Sequence, residues 1–212
     1  MVLCYDFAMA PTASVTAPGS KADQIIAATR SLFVRYGYRR TSVDDIAREA
    51  GVAKATLYLH FSGKEEMFRE MIRRFQLVQE ERCEAAEAIE TSVQDRVVAL
   101  IDAVYGTTLE WFENTAHIEE LRSVALHEIA VPVDEPVQAF RRRLTRMIEV
   151  ADERGQLRLS AAGASAEDVT QVLLFAAYGA KHAAQATHAS FRAALPGIVH
   201  LILSGMIPTD SA

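Results

Sequence analysis

Residues 41–68, TSVDDIAREAGVAKATLYLHFSGKEEMF, decide the fold. Read at helical period, Val43, Ile46, Ala47 and Ala50 form one short apolar stripe and Val52, Leu57 and Phe61 a second, with Gly51 between them. Thr41 or Ser42 caps the first helix. Asp44 and Asp45 fall in its first turn, where free backbone N–H groups and the helix dipole favour negative charge. Gly51 supplies the left-handed conformation that ends this helix, so the chain swings through roughly 90–120° into the next one, as a helix-turn-helix requires.

The second helix, expected over 53–61, buries Val52, Leu57 and Phe61 and turns Lys54, Ala55, Thr56, Tyr58 and His60 outward or to its flanks. A B-DNA major groove admits one α-helix, and short side chains on its first turn let the backbone come close to the base edges. Ala55 and Thr56 meet that need. Lys54 reaches a guanine edge or a phosphate, while Tyr58, His60 and Lys64 suit phosphate oxygens on either side. Arg40, Thr41 and Ser42, at the entry to the first helix, complete the expected DNA-facing set.

The order of residues across 25–68 resembles the N-terminal domain of the tetracycline-repressor (TetR/AcrR) family of bacterial transcription regulators. The resemblance rests on Ile26, Leu32, Phe33, Tyr36-Gly37, Thr41-Ser42-Val43, Asp45-Ile46-Ala47, Ala50-Gly51-Val52, Thr56-Leu57-Tyr58, Phe61 and Lys64-Glu65. It covers about the first third of the chain. One departure stands out: Ala53 occupies the position where the family most often has a capping Ser, and a lost cap typically costs ~1 kcal/mol. The resemblance implies a cytoplasmic bacterial repressor that binds a palindromic operator as a homodimer and is released by a small, largely apolar effector. It also implies an all-α fold of about nine helices: a three-helix helix-turn-helix head, then a larger helical ligand-binding and dimerisation body. The expected boundaries are a disordered arm over 1–20, a DNA-binding domain over 21–66 and the body over 67–212.

Charge divides along the same lines. The whole chain is at −6, which is unusual for a DNA binder, yet residues 21–68 hold eight Lys/Arg against six Asp/Glu and residues 69–212 hold fourteen against twenty-one. Phosphate therefore attracts the head and repels the body. Cys4 and Cys83 are the two cysteines, too few for a disulfide framework or a cysteine zinc site. No run of about 18 apolar residues appears, so no membrane-spanning helix is expected.

In chain order, residues 1–20 lack Lys and Arg and are rich in Ala, Pro, Thr and Ser, which reads as disorder rather than a minor-groove arm. Met9 is a second candidate start. A first helix over 21–36 carries Ile25/Ile26, Thr29, Leu32/Phe33 and Tyr36 on one face, with Gly37 as its C-cap. A fourth helix starts near Ser62 or Gly63 and runs to about Ile89, with Lys64 in its first turn. The body then reads as helices over 93–114, 118–130, 135–154, 166–186 and 190–205, and no strand pattern or repeat appears.

The last two helices are the most apolar. Val172, Ala176, Gly179 and Ala183 make a small-residue face that permits close helix approach, and Leu195, Ile198 and Ile202 make a large-residue one. Resemblance to the family implies a dimer interface from these two helices of each subunit. Pro196 should kink the last of them. Tyr105, Trp111, Phe112, His127, Phe140, Phe175, Tyr178 and His182 supply aromatic surface with polar tips, the lining expected for an apolar effector.

Enzymatic readings find little to hold. GxxxxGK[ST], GxGxxG, HExxH, GxSxG and CxxC are all missing from the sequence, and no metal or cofactor is expected. The competing expectation is a helical small-molecule binding protein or an enzyme that keeps the head as a scaffold. Lys64 and the short-sided recognition helix favour DNA.

Overall fold

The computed structural model describes residues 19–112, 115–129, 134–183 and 186–208. The arm and Cys4 fall outside that range, apart from Pro18's successors Gly19 and Ser20. Every regular element among the described residues is helical. Two compact units divide at Met71/Ile72, and one helix, α4 (Lys64–Ala88), begins in the first and ends in the second.

The first unit holds α1 (Lys21–Tyr36), α2 (Val43–Glu49) and α3 (Lys54–His60). Two of them start on capping boxes. Ser20 accepts the Asp23 N–H and Ser42 accepts the Asp45 N–H, and each Asp carboxylate takes the cap residue's own N–H in return. Ser42, not Thr41, is therefore the cap of α2. Gly51 sits at φ 65, in the left-handed region, and joins α2 to α3. Ile25, Phe33, Ile46, Leu57, Met67 and Phe68 fill the core at no exposure at all. Phe33, Tyr38 and Phe68 close it as a triangle of rings with centroids 5.3–5.8 Å apart.

The second unit is built on α5 (Val93–Ile101), α8 (Asp134–Glu153), α10 (Ala166–Lys181) and α11 (His188–Leu203), with α10 packed on α11 and α8, and α5 on both of those. Leu100, Leu144, Ile148, Leu173, Ala177, Val199 and Leu203 are its fully buried centre. Three findings depart from the sequence reading. A one-turn helix, α9 (Leu159–Ala162), precedes α10, and α10 ends at Lys181, earlier than expected. The third is winding: α5 continues through a π-wound stretch, Asp102–Gly106, into α6 (Thr107–Phe112), and α7 (Ile118–Ser123) continues into a second, Val124–Glu128. Gly106 ends the first of these, close against Asp102. A β-carbon there would stand 2.0 Å from Asp102 Oδ1, so any other residue would displace that carboxylate.

Residues 188–206 are long and apolar enough to cross a membrane by length and composition, contrary to the sequence expectation. Phe191, Leu195, Val199 and Leu203, spaced at helical period along that helix, lie in the core of the second unit, and 28% of the apolar stretch is buried there.

Candidate nucleic-acid interface

In the head, α3 is short and lacks a side-chain cap, because Ala53 has no acceptor to offer. What holds it is burial: Leu57 is fully enclosed and Phe61 is 7% exposed. The opposite face is open, with Lys54, Ala55, Tyr58, Leu59 and His60 exposed and Thr56 half-buried. Leu59, at 84%, is the most exposed large apolar side chain of the head. The sequence reading left it out because one apolar residue among polar ones carries no periodic signal.

Charge on this surface is tethered. Lys54 Nζ lies 2.7 Å from Asp44 Oδ1 on α2, a bond that raises its pKa. Asp45 is held below the usual carboxylate range, first by the Ser42 hydroxyl and then by Arg48, whose Nη1 is 3.1 Å away. Arg40 and Ser42 are exposed at the entry to α2.

Two residues of the expected DNA-facing set point elsewhere. Thr41 is 3% exposed and its hydroxyl donates to the Gly37 carbonyl at 2.8 Å, so it is a buried staple between loop and helix. Lys64 is half-buried, and its ammonium donates to the carbonyls of Tyr38 (2.9 Å) and Thr41 (3.0 Å) while sitting 4.2 Å above the Tyr38 ring. A lysine at the start of α4 thus closes the loop that precedes α2 instead of reaching outward.

In the body, Tyr105, Phe175 and Tyr178 line one cleft of about 270 Å³ together with Gln171 and Leu174, two residues the sequence did not single out. Of the other expected lining residues, Phe140 and His182 adjoin the rings of this cleft, while Trp111, Phe112 and His127 do not line it. Trp111 is 8% exposed and packs on Phe75 at 5.4 Å, with Phe112 edge-on to the same ring at 5.3 Å. Phe140 is buried against Tyr105. His127 is exposed on the second π-wound stretch, and His182 stacks on Tyr178 at 4.2 Å. Lys181 places its ammonium 5.3 Å from the Tyr105 ring centre, and burial, with Arg122 nearby, pulls its pKa below the ordinary lysine value.

The assigned self-association residues also separate. Val172 (50% exposed) and Gly179 lie on an uncovered face of α10, with Ala176 half-buried beside them, and Ala183 is exposed two residues beyond the helix end. Leu195 is 1% exposed and belongs to the subunit's own core, because the period of α11 turns it inward; Ile198 and Ile202 are half-buried. The exposed large apolar residue of α11 is Leu201, at 76%.

Residues 25–71 match the family of bacterial regulatory proteins described as the tetR family. A transcriptional repressor, KstR2 of Mycolicibacterium smegmatis, is 38% identical over 58 residues, 27% of this chain and 28% of that protein. An uncharacterized regulator of Bacillus subtilis, YhgD, is 30% identical over 122 residues, 54% of this chain and 61% of that one. The matches thus span between about a quarter and three fifths of these relatives' length. Among solved structures, the ketosteroid transcriptional regulator KstR2 of Mycobacterium tuberculosis superposes with a TM-score of 0.65 at 18% identity, covering 90% of this chain and 97% of that one. SmeT, repressor of a Stenotrophomonas maltophilia multidrug efflux pump, does so at 0.60 and 22% identity, covering 91% and 93%. With residues 25–71 matching the tetR family and its helical fold shared along most of its length, the chain belongs to the TetR/AcrR family of bacterial transcriptional regulators.

Proposed function

We propose that this regulator is a ligand-responsive repressor that binds an inverted-repeat operator as a homodimer in the bacterial cytoplasm. The observation that carries the DNA reading is the outward face of α3, where Lys54, Ala55, Tyr58, Leu59 and His60 stand exposed on a helix fixed from behind by Leu57. Small Ala55 lets the helix enter a major groove, Lys54 exchanges Asp44 for a base edge or phosphate, and Leu59 meets a thymine methyl or a sugar. Arg40 and Ser42 add backbone contacts. Lys64 acts by fixing the loop ahead of α2.

The body supports the rest of the reading. α11 is apolar on two sides, with Phe191, Leu195, Val199 and Leu203 in the core and Leu201 outside. Together with Val172 and Gly179 on α10 and Ala183 just beyond it, that outer face suits a second copy. An effector entering beside Tyr105, Phe175 and Tyr178 meets aromatic walls, which fits an apolar molecule. Proteins of similar fold include a ketosteroid transcriptional regulator, a fatty acid degradation regulator and the repressor of a multidrug efflux pump. Effector binding is linked to DNA release through one conformational equilibrium, so each ligand weakens the other by the same factor.

Selection of random duplexes by the full chain, followed by sequencing, tests the proposal. Enriched fragments should share two inverted half-sites spaced by about one helical turn, roughly 34–36 Å, or a multiple of it. Fragments with no shared motif would remove the operator reading, and a single unpaired half-site would remove the dimer.

A further inference from the structure

A second cleft, of about 430 Å³, lies in the body away from the aromatic one, and its lining is unlike the rest of that unit. Arg96, Arg142, Arg143, Arg146 and Arg154 surround it with one carboxylate, Glu87, and two apolar residues, Met147 and Val150. Residues 69–212 as a whole carry half again as many acids as bases, so the local charge balance is inverted.

The five guanidinium groups are not equivalent. Arg142 pairs with Glu135 at 2.6 Å and Arg146 with Glu149 and Glu153 at 3.3 Å, all on side chains largely open to water. Such surface pairs are weak and readily exchanged. Arg143, more enclosed, bonds Glu87 at 2.9 Å and also Glu80. Arg96 and Arg154 form no ion pair among the described residues, and Arg96 Nε is buried without a hydrogen-bond partner. A buried guanidinium N–H with no acceptor is costly, and an acceptor arriving from outside the chain removes that cost.

We propose that this cleft binds a small molecule carrying two or more phosphate or carboxylate groups. Arg96 and Arg154 hold it directly, and Arg142 and Arg146 turn toward it from their rim pairs. Guanidinium forks match both kinds of oxyanion in bidentate geometry. The volume falls within the range of small-molecule sites, about 300–1,000 Å³. A nucleic-acid duplex is a poorer fit, because it would rest on the rim, where Glu135, Glu149 and Glu153 also stand.

Isothermal titration of the full-length protein with inorganic pyrophosphate, and separately with citrate, tests the site and tells the phosphate source from the carboxylate one. Saturable binding of one anion per chain is expected for at least one of the two. Arg154→Gln should weaken it at least tenfold; that side chain is exposed and unpaired, so the variant keeps its fold. Arg96→Gln, checked for folding by circular dichroism, should do the same, and Arg48→Gln in the head should change nothing. The proposal is overturned if neither anion saturates or if Arg154→Gln binds as the parent does. A lower salt slope for duplex binding in Arg154→Gln, with pyrophosphate and citrate ignored, would instead give the surface to nucleic acid.

Discussion

Leu59 on α3 and Leu201 on α11 are both large, apolar and uncovered, at 84% and 76% exposure, yet they stand in opposite company. Leu59 is surrounded on its helix by Lys54, Tyr58 and His60, side chains that donate hydrogen bonds. Leu201 shares its outer face with Ala194 and Gly197. An isolated apolar contact within a donor-rich surface suits a polar, charged partner that offers a methyl group. A smooth apolar face suits another protein surface of the same kind. Exposure alone therefore does not identify a partner; the other exposed side chains of the same helix do.

The comparison can be broken most directly at α11. Leu201→Glu should convert the protein to monomers by light scattering, with thermal stability of each unit within about 0.5 kcal/mol of the parent, as for an ordinary surface change. Gly179→Leu should act alike, since a β-carbon there meets open space within the subunit. A dimer that survives both substitutions would place self-association on another face.

Next in size is the contrast between Leu57 and Leu59, two residues apart on one helix. Leu57→Ala removes a fully buried side chain and should cost about 2–5 kcal/mol. Leu59→Ala should leave the melting temperature almost unchanged and lower operator affinity only a few-fold. Equal loss of stability in the two variants would mean that α3 is covered on both sides.

Lys64→Met separates a structural lysine from a phosphate contact. Loss of its bonds to the Tyr38 and Thr41 carbonyls should destabilise the head by about 1–3 kcal/mol while leaving the salt dependence of DNA binding as it was. A slope lowered by about 1 would return Lys64 to a phosphate.

The smallest effect is confined to the body. Burial pushes the Cys83 thiol up to about 11 from an ordinary value of 9.0. The unfolded thiol ionises first as pH rises, so this contribution is complete below pH 9 and lost between 9 and 11. In a Cys4→Ser background, Cys83→Val should flatten that alkaline limb in a urea titration. An unchanged limb would assign it to other groups.

The head was largely legible in the sequence because its signals are local: Ser42 with Asp45 three residues on, Gly51 at a left-handed turn, and Leu57 and Phe61 at helical spacing. Its misreadings are Thr41, whose hydroxyl turns back on the Gly37 carbonyl four residues earlier, and Lys64, bonded to carbonyls 26 and 23 residues away that no spacing reveals. In the body, the same apolar periodicity fits both a core and a cleft, so Trp111 and Phe140 were assigned to a lining although the fold buries them. Leu195 was placed on an outer face for the same reason. Arg96 and Arg154 drew no notice, since unpaired arginines look like any others until their neighbours are fixed in space.

Each π-wound stretch holds an extra residue within a helix, the equivalent of an insertion that the fold has absorbed. Losing one residue from Asp102–Gly106 would restore ordinary winding and leave the downstream side chains on the faces they hold now, because the wider turn already absorbs the surplus residue. Trp111 would stay against Phe75. A codon deletion that would re-aim a whole row of side chains by about 100° in an ordinary α-helix, the angle of one residue in a 3.6-residue turn, is thus tolerated at this one point.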